Sequence, residues 1–256
     1  MSKAIIYYHR SYRKITGSGW KFLFSLVGIS FSCASAILFF YPYITERMSM
    51  IARTVLSSYY PLGTISIIEQ SFLWKNIFIV SLPKKNPSTF ISVINLIISS
   101  GLIIVLPRIK KFKLIAIYFI FLASIQLFSA LFFTFSPSEF PYSATEFSEF
   151  YIKSEISIWI FMPLILSMAL MLLPAPFLPK LMLILFALLY SFLFGTLRYI
   201  IFLFIIHEFS SLYMALLFFA FGPLIDFVYI VGIYSFYSSR LAESLKSSEA
   251  VWKWSY

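Results

Sequence analysis

Two consecutive blocks decide the fold: FALLYSFLFGTLRYIIFLFIIHEFSS, Phe186–Ser211, and LYMALLFFAFGPLIDFVYIVGIYSFY, Leu212–Tyr237. Each is long enough to cross the ~30 Å hydrocarbon core of a bilayer, which takes about 20 apolar residues as a helix. The first carries Arg198 inside Gly195-Thr196-Leu197-Arg198, a permanent charge with apolar runs on both sides. A charge at such depth costs roughly 2.5–3.5 kcal/mol on insertion scales, so it must face a protein interior or a wet cavity and have a partner.

Working outward, the whole chain shares this character. Hydrophobic residues make up 61% and charged residues 12%, against about 25% charged in a soluble domain. The fold class is therefore all-α: a polytopic helical membrane protein with about six transmembrane helices. A barrel is excluded because the apolar runs do not alternate. Lys and Arg number 20 against 10 Asp and Glu, but they sit in short patches flanking apolar runs. That pattern sets orientation, so the partner implied is the lipid bilayer and no nucleic acid. No metal spacing, disulfide framework or cofactor motif is present; the single Cys33 falls inside a span as a small packing residue.

Residues 1–21 form a basic head expected in the cytoplasm, and residues 22–237 a single transmembrane domain. Its first span, about 22–41, is read as uncleaved because no small-residue cleavage site follows it. The external segment 42–89 is expected to be helical and to lie on the bilayer surface, with Tyr59, Tyr60, Phe72 and Trp74 as interfacial anchors. The other reading of 65–82 is a packed hairpin dipping into the membrane. Span 2 (about 90–106) returns to the basic turn Pro107–Lys113, and span 3 (about 114–134) goes outward. An external loop, 135–156, holds Glu139, Glu146, Glu149 and Glu155 against Lys153. Span 4 (about 157–173), the turn Pro174–Lys180, span 5 (about 181–206) and span 6 (about 211–237) lead to a cytoplasmic tail, 238–256. This arrangement obeys the charge rule at every short loop except at Lys84-Lys85. It puts both termini inside, with a bacterial or archaeal cytoplasmic (inner) membrane as the expected location.

The candidate site residues are Arg198, Gln126, Asp226, Glu155, Ser154 and His207. At 1.5 Å per residue, Arg198 and Gln126 lie about 12–14 Å below the outer helix ends and Asp226 roughly 22 Å below. Arg198 with Gln126 and external water is the easier grouping, and an Arg198–Asp226 pair is offset by about 9 Å. Two readings stand for Arg198: a clamp on neighbouring carbonyls, or a member of a binding pocket. Asp226 follows Gly222-Pro223, where a kink frees backbone groups. Glu155 suits a helix N-terminus. His207-Glu208 reads as a wet helix end or an acid–base pair about 180° round the helix from Arg198.

The order of parts from about 150 to 237 resembles the exosortase/archaeosortase group of membrane-embedded cysteine transpeptidases. Gly195-Thr196-Leu197-Arg198 is similar to that family's Leu-Arg motif, with Gly195 where Asn is usual. Lys153-Ser154-Glu155-Ile156 falls where its Cys-Ser-Gly motif stands, without a Cys, and Phe219 occupies the position of its His. The resemblance implies a thiolate, a base and an oxyanion-stabilising guanidinium, of which only the guanidinium is kept. The leading expectation is therefore a non-catalytic exosortase-like subunit that binds a partner protein, lipid or sorting segment near Arg198 at the outer face. Two alternatives stand beside it. One is a membrane peptidase or transpeptidase-like enzyme using Ser154 or Glu155 with Arg198 and His207. The other is a small transporter or channel subunit using Arg198, Gln126 and Asp226.

Overall fold

The computed structural model describes residues 20–61, 63–108, 113–173 and 175–246. Most of the basic head, Lys110 and Lys111 of the basic turn, and the end of the tail lie outside them. The elements are α1 (Trp20–Ser57), β1 (Ser66–Phe72), β2 (Lys75–Ser81), α2 (Thr89–Val105), α3 (Lys113–Phe135), α4 (Ala144–Met171), α5 (Phe177–Glu208), α6 (Met214–Phe221) and α7 (Pro223–Lys246). Six helical stretches are long and apolar enough to span: Leu23–Ser57, Thr89–Arg108, Ile115–Phe135, Ala144–Met171, Phe177–Glu208 and Ser211–Glu243. The chain is a predominantly helical, multi-pass membrane protein.

The external segment departs from expectation. Helix α1 does not stop at Tyr41-Pro42 but runs through Pro42 to Ser57. Proline is tolerated there because neighbouring groups take over the freed backbone. Beyond it, Tyr41, Thr45, Met48, Ser49, Ala52 and Leu56 recur at helical spacing and are all buried. What buries them is a hairpin rather than surface helices, β1 pairing antiparallel with β2 from Ser66↔Ser81 to Phe72↔Lys75. Strand β2 lies against α1 and α4, with Ile77, Ile79 and Val80 fully buried, while β1 forms the open edge. The Ser49 hydroxyl donates to Phe78 O (2.7 Å), Tyr41 donates to Phe72 O (2.6 Å), and the Lys75 amide donates to Tyr41 Oη (2.9 Å). The hairpin tip, Leu73-Trp74, thus turns back to the level of Tyr41, with both side chains exposed.

The other corrections concern helix ends. Helix α4 begins at Ala144, not near 157, because Ser143 and Glu146 form a reciprocal capping box that satisfies the first free amides. Glu149 and Lys153 then pair at i,i+4 (2.5 Å), so the acidic loop is mostly the first turns of a helix. The last span is not continuous. It consists of the 3-10 turn Ser211–Tyr213, α6, and α7 after a break at Gly222-Pro223.

Helices α1, α4, α5 and α7 pack as the central bundle, with α6 leaning on α3 and α5. Helices α2 and α3 pair with each other at the side, and a small cluster of Ala130, Phe133 and Leu212 joins them to the rest. The Lys84-Lys85 exception to the charge rule has a local cause. Lys84 Nζ donates to Tyr142 O (2.8 Å) and Lys85 Nζ to Glu208 O (2.8 Å) at the C-terminus of α5, where a cation complements the helix dipole.

Candidate functional site

Three charged side chains from three helices meet inside the bundle. Arg198 projects from α5, Glu155 from α4 and Asp226 from the first turn of α7. They are only 4%, 1% and 1% exposed. Arg198 Nη2 donates to both Asp226 oxygens (3.0 and 2.8 Å) and makes a short ion pair with Glu155 Oε1. The same guanidinium sends Nη1 to the carbonyls of Phe221 (3.1 Å) and Gly222 (2.8 Å). Its Nε donates to Tyr151 Oη (3.0 Å), and the Tyr151 hydroxyl donates to Gly195 O (2.9 Å). Rings of Tyr151 and Phe194 flank it at 5.6 and 5.4 Å from their centroids. All three of its nitrogens are therefore engaged by protein groups.

Each member is placed by a local feature of the sequence. At the α6–α7 junction the helix breaks at Gly222-Pro223, so the carbonyls of Phe221 and Gly222 fall outside a regular helical ladder, and in a water-poor interior these need another partner. Arg198 supplies it, its positive charge set at the negative end of α6. Gly222 is required there, since a Cβ would collide with the Phe218 carbonyl. Asp226 in the first turn of α7 sits where a helix N-terminus favours a carboxylate. Gly195 leaves room for Glu155: a Cβ at that position would stand 2.8 Å from Glu155 Oε2. That Oε2 atom is buried and has no hydrogen-bond partner among the described residues.

A second layer ties the cluster to the hairpin. Tyr151 stacks on Tyr199 with centroids 5.3 Å apart. Tyr199 Oη in turn accepts the Val80 amide (2.9 Å) and makes a short hydrogen bond with Ser148. Tyr151 and Tyr199 were not among the expected site residues. Tyr151 stands one turn before Glu155 on the same face of α4, a signal visible once that helix is begun at Ala144.

The expected grouping therefore changes. The Arg198–Asp226 pair, expected to be offset by about 9 Å and the less easy grouping, is formed, because the 3-10 turn and the break at Gly222 interrupt the straight helix on which that offset was counted. Gln126 is not in the cluster; its Nε2 donates to Asn95 Oδ1 (3.3 Å) and links α2 to α3. Glu155 is not at a helix start but eleven residues into α4. Ser154, its neighbour, is half-buried and its hydroxyl makes no hydrogen bond among the described residues. His207 sits at the far end of α5, its Nδ1 2.7 Å from Pro83 O and its ring 4.4 Å from that of Tyr60. Cys33 packs beside Met162, Leu166 and Ile230 in a separate apolar cluster. Among the described residues, no group of three or more His, Cys, Asp and Glu side chains is arranged to hold a metal ion.

Two apolar openings flank this centre. One, of about 310 Å³, lies between α4 and α6 and is lined by Phe147, Phe150, Met214, Phe218 and Phe219 among others. Phe147 stands two turns before Glu155 on α4, so this pocket lies toward the hairpin-bearing end, roughly 12 Å along the helix from the cluster. The other, of about 470 Å³, lies between α1, α4 and α5.

The chain matches no protein-family model, no curated protein and no solved structure.

Proposed function

We propose that this chain is a non-catalytic, exosortase-like membrane subunit that holds a segment of a partner protein at its hairpin-bearing end. In this reading that end is the outer face of a bacterial or archaeal cytoplasmic membrane, and the basic turn between α2 and α3 is cytoplasmic. The observation that carries it is the state of Arg198. A guanidinium that stabilises a reacting oxyanion has to keep donors directed at the place where that charge develops. Here every nitrogen is bound to protein and two carboxylates face the one cation, one of them Glu155 from the segment that falls where the resembled family carries its Cys-Ser-Gly motif. The group acts as a clamp between α4, α5 and the α6–α7 break, the first of the two readings of Arg198, and this supports placing the partner away from Arg198 itself.

The surface left for a partner is the aromatic pocket above that clamp, where Phe219 is 61% exposed and stands at the position of the family's His. An aromatic, weakly polar cavity of this size accepts a large apolar side chain or a short hydrophobic segment. The test is co-purification from membranes in mild detergent, comparing the native chain with Phe150→Ala and Phe219→Ala. Both changes remove an exposed ring from the pocket without placing a charge in a span, so the fold is expected to tolerate them. Loss of one stoichiometric membrane-protein partner in both variants is the expected result; an unchanged complex overturns the pocket. A defect in processing of any membrane protein caused by Ser154→Ala or His207→Ala alone would overturn the non-catalytic reading in favour of an enzyme.

A further inference from the structure

The lateral groove between α1, α4 and α5 is separate from the aromatic pocket and from the ion cluster. Its α1 wall is Ile37, Phe40 and Ile44, residues at i, i+3 and i+7 and therefore on one stripe of the helix. The next position on that stripe, i+10, is Arg47. Leu188 and Phe192 of α5 form the opposite wall, and Trp159 of α4 closes the floor. The floor presents no unsatisfied polar atom, because the Trp159 indole N–H is already given to Ser191 Oγ (2.8 Å). The mouth is open to the side, with Phe40, Tyr43 and Leu189 all at least half exposed.

Among the described residues lining the groove, Arg47 alone is charged. It is exposed, and its side chain has no hydrogen bond or ion pair among the described residues. Its height is also informative. Counting from Leu23, where the first spanning stretch begins, Arg47 lies about 36 Å along α1. The hydrocarbon core is about 30 Å thick and the bilayer with its headgroups about 40–45 Å. With the core counted from that end, Ile37 and Phe40 are at acyl-chain depth, Ile44 is at its edge, and the cation one turn beyond is in the headgroup layer. A groove of about 470 Å³ is within the ~300–1,000 Å³ range of small-molecule sites.

We propose that this groove binds one anionic phospholipid, with an acyl chain laid along Ile37, Phe40 and Ile44 against Phe192 and the phosphate paired with Arg47. The chemistry is complementary at both ends. An apolar floor without free donors accepts a methylene chain, and guanidinium is the side chain best suited to two-pronged hydrogen bonding of a phosphate. The lipid is a component of the subunit rather than its partner, so this proposal stands whether or not the aromatic pocket binds protein.

The experiment is native mass spectrometry of the full chain in mild detergent. The protein is offered phosphatidylglycerol and phosphatidylcholine of identical acyl composition in equal amounts. One retained lipid with a preference for phosphatidylglycerol of about fivefold is expected, the effect of a single cation at an anionic membrane surface. Arg47→Gln should bring that preference to about one without changing the fold, Arg47→Lys should keep most of it, and Leu189→Trp at the mouth should reduce retention of both lipids. Equal retention of the two lipids by the native chain overturns the proposal, as does an unchanged preference in Arg47→Gln. A lipid-free dimer that Leu189→Trp dissociates would also overturn it, by assigning the groove to a second copy.

Discussion

The interior around Arg198 and the groove end at Arg47 show one side chain in two opposite settings. Arg198 is enclosed, fully hydrogen-bonded and opposed by two carboxylates, whereas Arg47 is exposed and unpaired among the described residues. The first has no capacity left for a ligand; the second has all of its capacity left. A charged residue in a hydrophobic sequence therefore marks a functional site only after its donors have been counted. By that count the most conspicuous residue of this chain is a structural one.

The contrast can be tested through stability, beginning with the largest effect. Arg198→Met should destabilise the protein by about 3–5 kcal/mol, because it leaves two buried carboxylates without a cation and the Phe221 and Gly222 carbonyls without their Arg198 donor. The triple variant that adds Glu155→Gln and Asp226→Asn should recover a large part of that loss. Denaturant titration of the detergent-solubilised protein measures both; an Arg198→Met variant as stable as the native chain would break the distinction drawn here. Tyr199→Phe should cost less, about 1–3 kcal/mol, by leaving the buried Val80 amide unpaired. Gln126→Leu in the peripheral α2–α3 pair should change stability by under about 1 kcal/mol, since interhelical hydrogen bonds in membranes average roughly 0.6 kcal/mol. Arg47→Gln should leave the unfolding midpoint of the delipidated protein unchanged, so that its only effect is on lipid retention.

The helical, six-span character was legible because twenty-residue apolar runs permit few other structures in a bilayer. The hairpin was legible only as the second reading of 65–82, behind surface helices. Its turn is Leu73-Trp74, with Leu73 at φ 55°, a region normally filled by Gly, Asn or Asp, so the usual turn signal is missing from the sequence. The interruptions Glu69, Gln70, Lys75 and Asn76 do belong to it, as the exposed edge and turn of a two-stranded ribbon. The ion cluster was partly legible. Its cation and both acids were singled out, but not as one group, and the Arg198–Glu155 partnership depended on where α4 begins. Ser143-Ala144-Thr145-Glu146 carries the capping-box spacing. A helix begun there puts Glu155 about 16 Å from its start, and Arg198 lies about 15 Å from the end of α5, the same depth. The Asp226 partner depended on the backbone break, whose consequence for register no residue count along a straight helix captures.

One bond described above bears on the order in which this chain is made. The amide of Val80 finds its acceptor in Tyr199, 119 positions later. When ribosomal synthesis has delivered the first four spans, both β2 and the α1 it packs on are present, yet that interior donor still lacks its phenol. The hairpin therefore cannot complete its internal bonding until the fifth span has been threaded into the bilayer. Final locking of this end of the protein is a late event in its biogenesis, governed by a segment far downstream of the strands it secures.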